Sequence, residues 1–304
     1  MRISRSYYHS SCLNHNFGYY FEQIKKHHSS AKLCGVYYKY MVAHIPVAFI
    51  SCNYYTQIKQ DLSNVLKGRI KMDRYSKILK KDKREIVLLI GSGCKWEKCK
   101  FCNYYLDRAK DDEKQFEINK EVLSHVTGEF KVLEAINSGS IFELNSKSKK
   151  ELLETCINKG IERLIIESHY MYKKQIKEFK EECRNLKIDL KIKGGVETFD
   201  ENFREKVLNK GFGTPSLEEL TEVFDEVNLL VGVKGQTFEQ IQKDIEIAVE
   251  NFERVCINLY KQMPDIMPAD EELKARFIKE LYPIYKDNQK VDILIENTDF
   301  GVGD

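Results

Sequence analysis

Three of the nine cysteines, Cys94, Cys99 and Cys102, fall in one short segment, GSGCKWEKCKFC, at residues 91–102. Cysteine thiolates hold iron–sulfur clusters, and a cubane with only three protein ligands leaves one iron open to another molecule. A structural zinc site is the alternative, but it needs four protein ligands, and no second cysteine pair with suitable spacing follows. The sequence therefore predicts a [4Fe-4S] cluster held by these three cysteines, which serve as metal ligands and as the catalytic centre.

The elements that must position this loop are short β-branched runs that alternate with charged amphipathic segments from Arg84 onward. Such alternation is typical of a parallel α/β sheet. Seven strands are predicted, at residues 86–90, 131–136, 163–167, 187–192, 227–231, 254–260 and 291–295. Capping boxes predict helix starts at Ser148 with Glu151, Ser216 with Glu219, and Thr237 with Gln240.

Six strand–helix units and a closing strand predict an α/β fold, a partial (βα)6 TIM-like barrel. In such folds the ligand sites lie in the loops after the carboxyl ends of the strands. The cysteine loop follows the first predicted strand. Functional residues are therefore expected just after each strand.

Residues 1–71 differ from the rest of the chain. They hold ten Lys/Arg against two acidic residues, and nine of the 17 tyrosines. We predict an atypical basic Tyr/His-rich extension at 1–71, either non-native to the domain or disordered, and a catalytic domain at 72–304. A basic aromatic arm that binds nucleic acid is the alternative interpretation.

The cysteine pattern and the hydropathy favour a cytoplasmic protein. No uncharged apolar run reaches the roughly 18 residues that a membrane span needs. The nine cysteines are irregularly spaced behind no convincing signal peptide, which disfavours a secreted disulfide framework. Three further cysteines, Cys156, Cys183 and Cys256, are predicted to be small core residues without chemistry.

The cysteine loop resembles the motif of the radical S-adenosylmethionine family, in which an aromatic residue precedes the last cysteine, as Phe101 does here. Its spacing of four and then two residues departs from the family's usual spacing and resembles the elongator-type branch. The resemblance covers about residues 84–260. It implies S-adenosylmethionine as a second cofactor, bound at the open iron and cleaved to a 5′-deoxyadenosyl radical.

Segments after the following strands resemble the cofactor-binding segments of that family. NSGS at 137–140 resembles the segment whose backbone receives the methionine amino group, and ESH at 167–169 resembles a Glu-Ser pair that approaches the ribose. GGVET at 194–198, with NKG at 209–211, resembles a further paired motif. The resemblance implies cofactor contacts from Phe101, Asn137, Ser138, Gly139, Ser140, Glu167, Ser168 and Glu197.

Polar residues near the predicted strand ends are candidates for substrate contacts. Glu296 or Asp299 could accept hydrogen bonds from the amide and amino N–H groups of a purine-like base, and Lys234 could meet a phosphate. Lys234 stands in GVKGQT at 232–237, where the family has a proline. The complete predicted set is Tyr104, Glu143, Asn228, Lys234, Asn258, Glu296 and Asp299.

The compact size, the cysteine spacing and the tail ENTDFG at 296–301 together resemble the queuine lyase family of queuosine salvage. That resemblance implies a lyase that releases queuine from queuosine 5′-phosphate. It also implies a small-molecule nucleoside or nucleotide substrate, an electron donor such as flavodoxin or ferredoxin, and no membrane or nucleic-acid partner. The alternatives are another radical enzyme, such as a tRNA-modifying one, and a non-enzymatic metal-stabilised binding module.

Overall fold

One curled sheet organises the computed structural model of the chain, which describes residues 74–263 and 266–296. These residues belong to the second of two units, Leu66–Asp304. The strands, in sheet order, are β1 Tyr75–Ile78, β2 Arg84–Leu89, β3 Val132–Asn137, β4 Arg163–Ser168, β5 Asp189–Glu197, β6 Glu226–Val231, β7 Arg254–Leu259 and β8 Val291–Leu294. The α-helices are α1 Asp112–Ser124, α2 Ser146–Asn158, α3 Lys173–Asn185, α4 Leu217–Val223, α5 Phe238–Asn251, α6 Glu271–Glu280 and α7 Tyr282–Tyr285.

All seven predicted strands are confirmed, and neighbouring strands from β2 to β8 pair in parallel. An additional strand, β1, pairs antiparallel with β2, with Tyr75 opposite Val87. The sheet curls into a half-barrel of six strand–helix units and a closing strand, which confirms the predicted fold class. Within the described ranges, no helix has the length and apolar character that a membrane crossing requires.

The two faces of the sheet differ in character. On β3, Leu133 and Ala135 are fully buried in the main hydrophobic core, whereas Glu134 between them lines an interior cavity. On β5, Ile192 belongs to the core and Lys193 faces the cavity. Successive side chains of a strand point to opposite faces. The strands therefore present apolar side chains to the core and polar ones to the cavity, as a ligand site requires.

One helix start differs from its prediction. The boxes at Ser216 and Thr237 are confirmed, but α2 begins earlier than expected, with Asn145 as its N-cap. The Asn145 side chain accepts a hydrogen bond from the Ser148 amide at 2.8 Å. The predicted box at Ser148 is wrong because Ser148 is itself inside the helix, where its buried hydroxyl accepts a hydrogen bond from Asn119.

The end of β5 is irregular. The predicted strand stopped at residue 192, whereas the observed strand continues to Glu197 through a register shift between Gly195 and Glu197. Such a bulge places two residues opposite one and re-aims the side chains around it. Glu197 adopts the left-handed conformation, with φ at 68°, and its carboxylate reaches the cavity.

Candidate active site

The predicted cluster ligands lie on the loop that follows β2. Cys94, Cys99 and Cys102 are free thiols of intermediate exposure, and all three line one cavity of about 650 Å³. Among the described residues, no three His, Cys, Asp or Glu side chains are grouped to hold one metal ion. A cubane takes each thiolate at a different iron. Three free thiols around one cavity therefore fit the ligand set of a cluster with one open iron.

Contacts with the segment after β5 hold this loop in place. The Trp96 indole N–H donates to the Asn209 carbonyl at 2.8 Å, and the Lys100 amide donates to the Leu208 carbonyl at 2.9 Å. A Cβ on Gly211 would lie 2.2 Å from the Trp96 ring. The absence of a side chain at Gly211 thus allows the Trp96 ring to pack directly on this segment.

An ion pair lies beside the thiols. Lys210 Nζ donates to Glu197 Oε1 at 2.7 Å and lies 5.5 Å from the centre of the Phe101 ring. Burial raises the pKa of the Cys99 thiol to about 12, and the Lys210 ammonium acts in the opposite direction. Burial alone would lower the pKa of Lys210, but the Glu197 carboxylate and the neighbouring Cys99 and Cys102 together raise that pKa. The cavity wall therefore carries an ion pair next to the predicted cluster ligands.

The segment after β3, predicted to receive the methionine amino group, is held by side-chain hydrogen bonds. Ser138 Oγ donates to Asp107 Oδ2 at 2.8 Å, and Asp107 also pairs with Arg74. Asn137 Nδ2 donates to the Ser140 carbonyl at 3.0 Å. Asn137 is buried, and its Oδ1 has no hydrogen-bond partner in the described part of the chain. That acceptor is available to a donor group on a bound molecule.

The end of β4 adds a carboxylate to the same wall. Burial raises the pKa of Glu167, whose Oε1 accepts a hydrogen bond from Asn228 Nδ2 at 2.9 Å. Asn228 Oδ1 has no partner among the described residues. The hydroxyls of Ser168 and Ser140 are hydrogen-bonded at 2.9 Å. The cofactor residues predicted after β3 and β4 therefore contact each other directly.

His169 lines the same cavity and stabilises this arrangement. Its Nδ1 accepts a hydrogen bond from the Met171 amide at 3.1 Å, so its Nε2 donates to the Lys210 carbonyl at 2.8 Å. The ring stacks on Trp96 and meets Phe212 edge-on. Burial lowers the pKa of His169 to about 4, so the ring is neutral near pH 7. It links the end of β4 to the segment that carries Lys210.

A network of buried charges lies deeper in the half-barrel. Glu134 on β3 accepts hydrogen bonds from Lys193 on β5 and Arg84 on β2, and Lys193 Nζ also lies 3.8 Å from Glu226 on β6. All four residues are at most 5% exposed. Burial alone would raise the pKa of Glu134, but the two cations lower it to about 2. Opposite charges therefore connect four strands in the interior of the half-barrel.

The eight residues predicted to contact the cofactor all line the cavity. Four of the predicted substrate residues line it as well, namely Tyr104, Glu143, Asn228 and Asn258. Lys234 and Glu296 are exposed and lie outside the described cavity wall. Asp299 lies outside the described residues. The structure thus assembles most of the predicted site, and the roles of these residues stay predictions.

Sequence reasoning missed the buried charges. Lys193 lies just past the end of the predicted strand 187–192, although it is an interior residue of β5. Arg84, Glu134 and Glu226 occur near the amino ends of their strands, where charged residues usually face solvent. The sequence feature that could have revealed this network is the presence of one charged residue within each of several predicted strands or at its edge.

The half-barrel of parallel strands, the three-thiol loop after β2 and the polar cavity define a radical S-adenosylmethionine enzyme. Enzymes of this class carry a [4Fe-4S] cluster. A comparison with solved structures finds the queuine lyase from Clostridium spiroforme bound to S-adenosylmethionine and queuine, at 46% sequence identity and a TM-score of 0.72. The match covers 77% of this chain and 100% of that one. The chain belongs to the queuine lyase family.

The remaining comparisons add little. The crystal structure of Streptococcus suis SuiB is similar at 14% identity and a TM-score of 0.45, over 86% of this chain and 59% of that one. A likeness at that level carries no weight for fold or function. No protein-family model matches the chain, and no curated protein matches it.

Proposed function

We propose that this chain releases queuine from queuosine 5′-phosphate by radical cleavage of the N-glycosidic bond. The observation that carries the proposal is the 46% identity to a queuine lyase solved with S-adenosylmethionine and queuine. Cys94, Cys99 and Cys102 would hold the cluster, which together with S-adenosylmethionine would supply the radical chemistry that starts by hydrogen abstraction from the ribose. The chain itself must orient the substrate and exclude water.

On the cofactor side, we propose that residues 137–140 hold the methionine amino group and that Glu167 accepts hydrogen bonds from the ribose hydroxyls. A carboxylate suits two vicinal hydroxyls because it offers several acceptor sites. The free Oδ1 of buried Asn137 supports this assignment, since a buried acceptor is normally paired. Glu197 and Phe101 complete the wall around the thiols.

On the substrate side, we propose that Asn228, Asn258 and Tyr104 contact the nucleotide. The unpaired Oδ1 of Asn228 can accept from an N–H group, and a guanine-like base presents such groups. Lys234 and Glu296 lie outside the cavity wall and Asp299 lies outside the described residues, so the roles proposed for Lys234 toward the phosphate and for Glu296 and Asp299 toward the base rest on the sequence pattern.

The proposal extends to the working unit and its partners. We propose that residues 72–304 form the catalytic unit. This boundary is supported by β1, which begins at Tyr75. It is also supported by the match to the queuine lyase structure, which covers 77% of this chain and all of that one. Residues 72–304 make up nearly the same share of this chain. The substrate is a small molecule, the reductant is an electron donor such as flavodoxin or ferredoxin, and the enzyme acts in the cytoplasm.

Anaerobic product analysis tests this function. The full chain is reconstituted with iron and sulfide, mixed with reductant and S-adenosylmethionine, and assayed for 5′-deoxyadenosine and queuine with and without queuosine 5′-phosphate. Both products should rise together when substrate is present. Formation of 5′-deoxyadenosine without any queuine would show that the substrate is wrong.

A matched pair of cysteine variants controls the assay. Cys99→Ala removes a proposed cluster ligand and should abolish both products together with the cluster absorbance. Cys183→Ala removes a thiol that is fully buried in the core on α3, so it should keep the cluster. Equal iron content in the two variants would refute the assignment of Cys99 as a ligand.

A further inference from the structure

Three segments of the site meet at the carboxylate of Glu143. Its Oε1 accepts hydrogen bonds from the Lys95 amide at 2.7 Å and from the Tyr172 hydroxyl at 2.8 Å. Its Oε2 accepts from the Ser140 amide at 2.6 Å. Lys95 directly follows the cluster ligand Cys94, and Ser140 belongs to the segment after β3. One side chain therefore joins the cluster loop, the segment 137–140 and the turn after β4.

The packing at this point leaves no spare room. A Cβ on Gly139 would lie 2.1 Å from Glu143 Oε2 and 3.1 Å from the Cα of Cys94. The segment 137–140 therefore presses directly against the cluster loop, with the Glu143 carboxylate between the amides of both. A small displacement of that carboxylate would shift the two segments relative to each other.

We propose that Glu143 is a positioning residue that sets the cluster loop and the segment 137–140 in one fixed relation, so that S-adenosylmethionine can bridge them. A molecule held by its amino group at 137–140 and by the open iron spans the two segments that Glu143 joins. The inference rests on the radical S-adenosylmethionine class of the site and not on the proposed substrate. It gives Glu143 a role toward the cofactor, where the sequence predicted one toward the substrate.

The charge of Glu143 matters for this role. A carboxylate accepts at both oxygens, and hydrogen bonds to a charged acceptor are stronger than neutral ones. Glutamine has one acceptor and one donor group, so in Glu143→Gln its NH₂ group must face either the Lys95 amide or the Ser140 amide. One of the two segments then loses its bond. The Glu143 carboxylate accepts hydrogen bonds from both backbone amides, whereas the glutamine side chain can accept from only one of them.

The fold should survive this substitution. The main-chain carbonyl of Glu143 accepts from the amide of Ser92 at 3.2 Å and from its hydroxyl at 3.1 Å, and these contacts do not involve the side chain. Ile141, two residues before it, is fully buried. The variant therefore keeps its backbone anchor to the cluster loop and its place in the core.

Equilibrium binding and spectroscopy on the full chain test the proposal. Glu143→Gln and wild type are reconstituted to equal iron content, and the dissociation constant for S-adenosylmethionine is measured anaerobically. The electron paramagnetic resonance spectrum of the reduced cluster is recorded with and without the ligand. We expect affinity to fall about ten-fold or more, the size expected for one lost hydrogen bond to a charged group. The ligand-dependent change in the spectrum should weaken in parallel.

Two variants separate positioning from general damage. Tyr172→Phe removes one donor but leaves both backbone bonds to Glu143, so its loss of affinity for S-adenosylmethionine should be clearly smaller than that of Glu143→Gln. Glu143 forms a capping box with Ser140, and Glu219 forms one with Ser216 at the start of α4. Glu219→Gln disrupts the second box and should bind S-adenosylmethionine like wild type. An equal loss of affinity in either control would overturn the proposal, as would wild-type affinity and spectra in Glu143→Gln.

A second substitution tests the proposal if Glu143→Gln takes up too little iron for the binding measurement. Glu143→Asp keeps the charge but shortens the side chain by one methylene, so reduced affinity at full iron content is expected. Wild-type affinity in Glu143→Asp would then overturn the proposal. None of these measurements involves queuine, so a failure of the proposed substrate would leave their outcome intact.

Discussion

Replacing Glu134 with glutamine tests whether the charges inside the half-barrel stabilise the fold. Glu134 is 2% exposed and accepts hydrogen bonds from Lys193 and Arg84. Glutamine keeps the size of the side chain but removes the charge. Among the described residues, Lys193 then retains the ion pair with Glu226 at 3.8 Å. Arg84 retains those with Asp292 at 3.3 Å and with Asp82 at 3.9 Å. Two buried cations thus lose their nearest carboxylate.

The expected loss of free energy of unfolding follows from the burial of Glu134, Lys193 and Arg84. Breaking a buried ion pair by removing one partner costs about 3–5 kcal/mol. Because both cations keep a second carboxylate, we expect the lower end, about 3 kcal/mol of the free energy of unfolding. The Lys131–Glu162 pair provides the contrast, since its side chains are 62% and 68% exposed. Exposed pairs contribute about 0–1 kcal/mol, so Glu162→Gln should change little.

Urea unfolding of the cluster-free full chain measures both variants. The transition is followed by circular dichroism and by the fluorescence of Trp96, the single tryptophan. The midpoint of Glu134→Gln should shift strongly with little change in the slope. A loss below about 1 kcal/mol, equal to that of Glu162→Gln, would refute the reasoning. It would mean that water in the cavity solvates these charges.

Further predictions concern acid stability, the cluster loop and the catalytic unit. In the folded protein the neighbouring cations outweigh burial and hold the pKa of Glu134 at about 2, below its ordinary 4.5; the stability this adds is present above pH 4.5 and lost as pH falls toward 2. Urea unfolding at a series of pH values should therefore show that the free energy of unfolding falls more steeply between pH 4.5 and pH 2 in wild type than in E134Q. Equal pH dependence in the two proteins would contradict this. Gly211 and Gly213 share a left-handed backbone, with φ of 73° and 72°. Their surroundings differ, because a Cβ at 211 would lie 2.2 Å from the Trp96 ring, whereas a Cβ at 213 would meet nothing within 4 Å. Both alanine variants should lose about 1–2 kcal/mol to backbone strain, and only G211A should also change Trp96 fluorescence. A chain that begins at Met72 should form queuine at the rate of the full chain, and loss of product would show that residues 1–71 are required.

The strands could be predicted because each is a short apolar run. Outward-facing residues such as Leu164 and Ile166 on β4 must be buried by the helices, and this need leaves a clear pattern in the sequence. β1 was missed because its four residues, Tyr75–Ile78, are only partly buried. The start of α2 was misplaced because Asn145 and Ser148 are both good caps, and only tertiary contacts select between them.

The cluster loop could be read from the sequence because its ligands are local, within residues 91–102. The contacts that hold this loop and the cavity wall in place could not be predicted from the sequence. Lys193 meets Glu134 only because of the register of β3, β4 and β5, and Glu143 reaches Lys95 across 48 residues of chain. Such pairs depend on how separate strands align, and a single sequence carries no record of that alignment.

The left-handed backbone at Glu197 has a consequence for protein engineering. At φ of 68° a non-glycine residue carries strain of about 1–2 kcal/mol, and glycine would relieve it. A redesign guided by stability alone would therefore choose glycine at this position and would delete the carboxylate that pairs with Lys210. Stability and the proposed cofactor contact make opposite demands on this residue. Position 197 should be held fixed when thermostable variants of this enzyme are selected.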